Sequence, residues 1–138
     1  MNTSKGVESF LSQHPVEETV RRFTYMLQVR GIKLFAVVDH YAEAIAAGLE
    51  LRPTMLVIFG SPHAGTPIMQ ASQMAAIDLP LKLLVWTDET QQTWLSWNSP
   101  EYLQQRHEFP PALEQNIAVV KSLAQAAAGT EVVISSAS

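Results

Sequence analysis

The chain has 138 residues, of which 47% are hydrophobic and 16% charged, and it contains no cysteine. This length fits one domain, residues 1–138, with a sizeable core, and the net charge of −4 disfavours binding to nucleic-acid phosphates. The missing cysteines exclude a thiol nucleophile, a zinc–thiolate site and disulfides. They fit a reducing compartment, and the first twelve residues lack the apolar segment of a signal peptide. Since no apolar run could span a bilayer, we expect a soluble cytoplasmic protein with no membrane and no nucleic-acid partner.

The first part of the chain predicts three strands with helices between them. A short strand or entry segment at 6–12 precedes an amphipathic helix at 15–30, which Pro15 would open and Gly31 would end. Residues rich in β-formers predict strands at 32–38 and 54–59, separated by a short Ala-rich helix at 41–47. The connection between these two strands is long enough for a parallel crossover, so the pattern leaves their relative direction open.

Residues 60–67 have a composition typical of a loop, with two glycines and two prolines among eight residues. Thr66 followed by Pro67 matches the preferences for a helix N-cap and a first helical position. We therefore predict an ordered polar loop from Gly60 to Pro67, followed by a helix to about residue 72.

The second part of the chain predicts a hairpin and two more helices. Strands at 81–86 and 92–97 flank a polar loop, a short helix covers 100–107, and a long helix runs from Pro111 to Gly129. The tail at 130–138 is either an edge strand or a frayed end. Together these elements predict an α+β fold: a two-layer, mainly antiparallel sheet packed by two long helices, β-α-β(4)-α with short inserted helices. The predicted core-facing residues of the last helix are Leu113, Ile117, Val120, Ala124 and Ala127.

Five motifs occur along the chain in the order Asp39-His40, Leu51-Arg52-Pro53-Thr54, Gly60, Gly65-Thr66-Pro67 and Asp78-Leu79-Pro80-Leu81-Lys82. In this order and spacing they resemble the bacterial domain-of-unknown-function family 302, over residues 16–128. The resemblance implies the same β-α-β(4)-α arrangement, similar to the TATA-binding-protein-like fold class, and a homodimer. It implies no activity, because none is established for the family. The best-known member of the fold class binds DNA, but DNA binding here would rest on analogy of fold alone, and the acidic net charge of this chain opposes it. The family often has Asp or Glu soon after the tryptophan that corresponds to Trp86, whereas here Thr87 precedes Asp88, so a carboxylate role at position 87 is in doubt.

The segment at 60–67 is the main candidate for binding a small anionic or polar ligand. Glycine permits close backbone approach, and a helix N-terminus presents free N–H groups to an anion. Arg52 and Lys82 are the cations inside the family-like motifs. The alternatives are an ion pair of Arg52 with Asp39 or Asp78, and a solvent-exposed Lys82. The candidate ligand-binding residues are Arg52, Gly60, His63, Gly65, Thr66 and Lys82.

Two other functions stay open at this point. Asp39 and His40 could form an acid–base pair in a small enzyme, although Asp39 could equally cap the helix that follows. Exposed tryptophans with Met69 and Met74 could instead form a protein-interaction module. The four histidines lack the helical spacing of metal ligands, so we expect neither a metal site nor a cofactor.

Overall fold

The structure, a computed structural model, describes residues 4–129, so the predicted tail at 130–138 lies outside the described residues. Its sheet has the strand order β1-β5-β4-β3-β2, and every neighbouring pair is antiparallel. The predicted α+β fold is therefore confirmed, and the two strands whose direction was open are antiparallel neighbours. The strands are β1 (Val7–Ser12), β2 (Lys33–Asp39), β3 (Thr54–Gly60), β4 (Leu81–Thr87) and β5 (Thr93–Asn98).

The helices lie between the strands and after them. The two helices at the ends of the chain, α1 and α5, contact each other and pack on the sheet. None of the helices in the described part of the chain combines the length and apolar character that a membrane span requires. The helices are α1 (Val16–Arg30), α2 (His40–Ala46), α3 (Pro62–Ala71), α4 (Pro100–His107) and α5 (Val119–Ala128).

The predicted long last helix is wrong as one continuous element. Residues Pro111–Ile117 form a 3₁₀ segment, and a second one covers Gln73–Asp78. At the break, the Ala118 N–H donates to the Gln115 carbonyl, the short-range bond typical of a 3₁₀ turn. The predicted core face survives the break, because Ile117, Val120, Ala124 and Ala127 are buried.

The core lies between α1, α5 and one face of the sheet. Side chains of β4 alternate, with Leu83 and Val85 fully buried and Leu84 half-buried on the opposite face. The rings of Phe23 on α1 and Phe59 on β3 meet edge to face, with centroids 5.0 Å apart. The two helices therefore cover one face of the sheet.

Candidate functional site

Residues 60–67 do not form the predicted loop. Gly60 is the last residue of β3, Ser61 is the N-cap of α3, and Pro62 is its first residue. The prediction that Thr66 and Pro67 open the helix is wrong, since both lie inside it. The Ala64 and Gly65 N–H groups donate to the Ser61 carbonyl at 3.0 and 2.9 Å, which closes the first turn five residues earlier than predicted.

The correct helix start has a signal in the sequence. Ser61-Pro62 is the same N-cap and first-position pair as Ser99-Pro100, which opens α4 as predicted. Two such pairs compete within residues 60–67. The earlier pair begins the helix, and Pro67, which lacks an N–H, is accommodated within it.

This segment lines a cavity of about 320 Å³ between the start of α3, the adjoining ends of β3 and β4, and the 3₁₀ segment before α5. Most of the lining is apolar. Gly65 adds no side chain to the wall, and a Cβ there would lie at ordinary van der Waals distances of 3.8 Å from Met69 Cε and 3.9 Å from Leu79 Cδ1. The lining residues are Ile32, Phe35, Phe59, Gly60, Ser61, Pro62, Ala64, Gly65, Thr66, Met69, Leu79, Pro80, Leu81, Asn116, Ile117 and Val119.

The polar side chains of the cavity wall are uncharged. Asn116 donates from Nδ2 to the Ala64 carbonyl at 3.1 Å, which ties the 3₁₀ segment to α3. Ser61 is half-buried, and its hydroxyl makes no capping hydrogen bond in its helix. Thr66 supplies a second hydroxyl to the lining. The site thus combines an apolar interior with a few neutral hydrogen-bonding groups.

The structure brings together three of the six predicted ligand-binding residues. Gly60, Gly65 and Thr66 line the cavity, whereas His63 is exposed on α3 and does not line it. Arg52 precedes β3, so it lies at the opposite end of that strand from Gly60, and its Nε donates to the Thr87 carbonyl at 3.1 Å.

Lys82 is also absent from the cavity wall. Its side chain is half-buried on β4 rather than fully exposed, and Nζ donates to the Pro80 carbonyl at 3.0 Å. Burial lowers the pKa of the Lys82 ammonium, and the charge of Asp78 opposes this shift in part. Lys82 therefore contributes to the structure at the start of β4 rather than to the cavity.

Arg52 does not form an ion pair with Asp39 or Asp78. Asp78 Oδ2 instead accepts from Arg106 Nη1 at 3.0 Å and lies 2.6 Å from His107 Nε2. These contacts join the 3₁₀ segment after α3 to α4. Among residues 4–129, no group of three or more histidine, aspartate or glutamate side chains is placed to hold a metal ion.

Asp39 and His40 lie at the junction of β2 and α2. The Ala42 N–H donates to Asp39 Oδ1 at 2.9 Å, so the alternative in which Asp39 caps a helix is confirmed. His40 is the first residue of α2 and is exposed. Neither residue lines the cavity.

In the hairpin loop after β4, the Asp88 carboxylate accepts several hydrogen bonds. It is not among the candidate functional residues predicted from the sequence. Asp88 Oδ1 accepts from the backbone N–H groups of Thr90 and Gln92 at 2.9 and 3.0 Å. Asp88 Oδ2 accepts from Trp94 Nε1 at 2.8 Å. The Trp94 bond is the main reason that the pKa of Asp88 lies well below its usual range. This carboxylate orders the loop and orients an indole.

The three tryptophans lie on both faces of the sheet, as the strand alternation predicts. Trp97 is buried among the core residues, and its indole N–H donates to Glu8 Oε1 at 3.0 Å. Trp86 and Trp94 stack on the face that α1 and α5 do not cover, with ring centroids 6.5 Å apart. They line no part of the cavity at α3.

Comparison with known proteins finds curated relatives that are more than twice as long as the part this chain matches. Over 114 residues the chain is 40% identical to fluoride-specific ion channel FluC 1 of Brucella suis and to FluC 1 of Brucella abortus. These matches cover 83% of this chain but 44% and 42% of the relatives, so the chain spans less than half of their length.

A solved structure shares the fold at low sequence identity. The crystal structure of an uncharacterized conserved DUF302 protein from Bacillus stearothermophilus matches with a TM-score of 0.74 and 17% identity, over 91% of this chain and 98% of that one. The model of the family described as domain of unknown function DUF302 matches residues 8–128. The chain therefore belongs to the DUF302 family.

Proposed function

We propose that the protein is a homodimeric domain that binds a small, mostly apolar molecule with one neutral polar group. The observation that carries the proposal is the cavity of about 320 Å³ beside the start of α3. Its volume falls at the lower end of the range of about 300–1,000 Å³ that is typical of small-molecule sites. Its lining combines apolar side chains with a few hydroxyl and amide groups, which is the composition such sites usually have.

The lining favours an apolar ligand over the anion that the sequence suggested. Arg52 and Lys82 make hydrogen bonds to backbone carbonyls elsewhere, and neither side chain borders the cavity. An anion transferred from water into this space would lose hydration without gaining a cationic partner, which is costly. A ligand hydroxyl or carbonyl, in contrast, can exchange hydrogen bonds with the Ser61 or Thr66 hydroxyl.

The experiment uses octan-1-ol as the probe and methionine methyl groups as reporters. In protein labelled with ¹³C at the methionine methyls, octan-1-ol should shift the Met69 resonance and leave that of Met74, an 80% exposed side chain outside the cavity wall, unchanged. Inorganic phosphate at the same millimolar concentration should shift neither. Equal shifts at both methyls, or none at Met69, would contradict the proposal.

A pair of variants separates cavity binding from adsorption to the surface. Gly65→Leu places an aliphatic chain next to Met69 and Leu79, so it should abolish the octan-1-ol response. Ala71→Leu adds a similar side chain at the exposed end of α3 and should leave the response intact. Retained binding in Gly65→Leu would place the probe elsewhere.

The other functions receive less support from the contacts. The Asp39 carboxylate caps α2, and neither it nor His40 borders the cavity, so an acid–base pair there would lack an adjoining substrate site. The Brucella relatives are named as fluoride-specific ion channels. Ion conduction is not part of the proposal, because this chain matches less than half of their length. The absence of cysteine supports the cytoplasm as the compartment in which the domain acts.

A further inference from the structure

The sheet face that α1 and α5 leave uncovered carries a groove of about 470 Å³. The groove runs from Ser9 on β1, over β5 and β4, to Thr54 on β3. None of its described lining residues borders the cavity at α3. Its volume falls within the range of about 300–1,000 Å³ that is typical of small-molecule sites, so the groove is a separate candidate for binding.

The floor of the groove contains an indole that hydrogen bonds hold in place. Leu84 and Trp86 lie two residues apart on β4, so both project from the uncovered face. The Trp86 indole N–H donates to Ser96 Oγ at 2.9 Å, and Ser96 Oγ lies 2.7 Å from Ser9 Oγ. Trp94 stacks on the Trp86 ring. These contacts fix the orientation of a flat aromatic ring beside the apolar side chain of Leu84.

The wall of the groove carries one cation. Among the described residues that line the groove, Arg52 has the only charged side chain, so no carboxylate neutralises it there. Two hydrogen bonds anchor this residue: its Nε donates to the Thr87 carbonyl at 3.1 Å, and its carbonyl accepts from the Thr54 hydroxyl at 2.8 Å. Within residues 4–129, the terminal Nη1 and Nη2 atoms of Arg52 donate to no protein group. Both are therefore available to an anion from outside the protein.

One guanidinium beside a flat apolar floor matches a ligand with one carboxylate and an aromatic ring. The planar end of arginine can donate two parallel hydrogen bonds to a carboxylate. An aromatic ring gains more from contact with an indole than its buried area alone supplies. A phosphate monoester fits less well, because it carries nearly two negative charges and the described lining offers a single cation.

We propose that this groove binds a small aromatic carboxylate, with the carboxylate on Arg52 and the ring against Trp86. The site is additional to the apolar cavity at α3 and does not depend on the ligand proposed for that cavity. It gives Arg52 a ligand-binding role at the opposite end of β3 from Gly60. Because the net charge of −4 repels anions at longer range, binding depends on the short-range contacts of Arg52 and Trp86.

The indole N–H groups provide reporters for this site, because each of the three tryptophans donates to a different side chain. In ¹H–¹⁵N spectra, millimolar benzoate should shift the Trp86 indole resonance in a saturable way. The resonance of Trp97, whose side chain is 3% exposed on the opposite face, should stay in place. The absence of a saturable shift at Trp86 would overturn the proposal.

Two analogues of benzoate separate the contributions of charge and ring. Benzamide keeps the ring and lacks the charge, whereas acetate keeps the carboxylate and lacks the ring. Each should bind about tenfold or more weakly than benzoate, because each loses either the charged hydrogen bonds or the apolar contact. Equal affinity of either analogue would contradict the assigned ligand class.

A pair of arginine variants tests the position of the carboxylate. Arg52→Gln should weaken benzoate binding by about tenfold or more. Arg30→Gln removes the same charge at the end of α1, outside the groove, and should leave the affinity unchanged. Equal losses in both variants would indicate a general charge effect and refute the site, as would full affinity in Arg52→Gln.

A third variant keeps this test informative if the loss of the Thr87 hydrogen bond disturbs the fold. Arg52→Lys retains the charge without the planar pair of donors, so its affinity should lie between those of the original chain and Arg52→Gln. Thermal melts and the position of the Trp97 indole resonance without ligand verify that each variant is folded. A folded Arg52→Lys variant that binds benzoate as tightly as the original chain would refute the two-donor contact.

The Met69 methyl resonance separates this site from the cavity at α3. Met69 lines the cavity and does not line the groove, so benzoate should leave its resonance in place. A benzoate shift at Met69 without one at Trp86 would overturn the groove site. The response of Met69 to octan-1-ol is a separate measurement, so its absence overturns the cavity proposal and leaves the groove site standing.

Discussion

Replacing Gly65 by alanine distinguishes the helix found here from the loop predicted by the sequence. Gly65 lies inside α3, and an added Cβ would meet Met69 and Leu79 at ordinary van der Waals distances of 3.8 and 3.9 Å. Alanine is favoured over glycine in a helix interior by about 0.8–1.0 kcal/mol, so Gly65→Ala should stabilise the fold by about that amount. With an unfolding entropy of about 2.1 cal/mol/K per residue, the melting temperature should rise by about 3 °C.

Differential scanning calorimetry of two variants measures this effect and its control. Gly48 has a φ of +78° and no atom within 4 Å of an added Cβ, so Gly48→Ala should destabilise the fold by about 1 kcal/mol through backbone strain alone. If Gly65→Ala also lowered the melting temperature, residue 65 would have the left-handed backbone of a turn. The helix start at Ser61 and the cavity wall built on it would then both be refuted.

Two further perturbations test the hairpin loop and the core. Because the pKa of Asp88 is lowered in the folded state, chiefly by Trp94, its charge adds stability above about pH 4 that is lost as the pH falls further. Asp88→Asn should therefore flatten the decline of unfolding free energy in acid, measured by urea denaturation, and an unchanged slope would contradict this role. Phe109 is 1% exposed, so Phe109→Ala should cost about 3–5 kcal/mol, whereas Met74→Ala at an 80% exposed position should stay within about 0.5 kcal/mol in the same assay.

Features with a short-range physical cause could be predicted from the sequence. The strand at β4 and the apolar spacing of α1 follow from local composition and helical period, and the structure has both as predicted. The Asp39 cap was one of two alternatives, and its hydrogen bond to the Ala42 N–H is local. Where two local signals compete, as Ser61-Pro62 and Thr66-Pro67 do, composition alone does not rank them, and the helix start was predicted five residues too late.

The site depends on distances that local patterns do not contain. Arg52 is close to Gly60 in sequence, but an extended β3 between them puts the two residues at opposite ends of a strand. Asn116 is far from Ala64 in sequence, yet its Nδ2 lies 3.1 Å from the Ala64 carbonyl oxygen in the cavity wall. Sequence by itself therefore determined the strands, most of the helices, the core face of the last helical region and the segment beside the site. Only tertiary packing decided that this segment encloses an apolar space without a cation, because chain direction and helix docking determine which side chains meet.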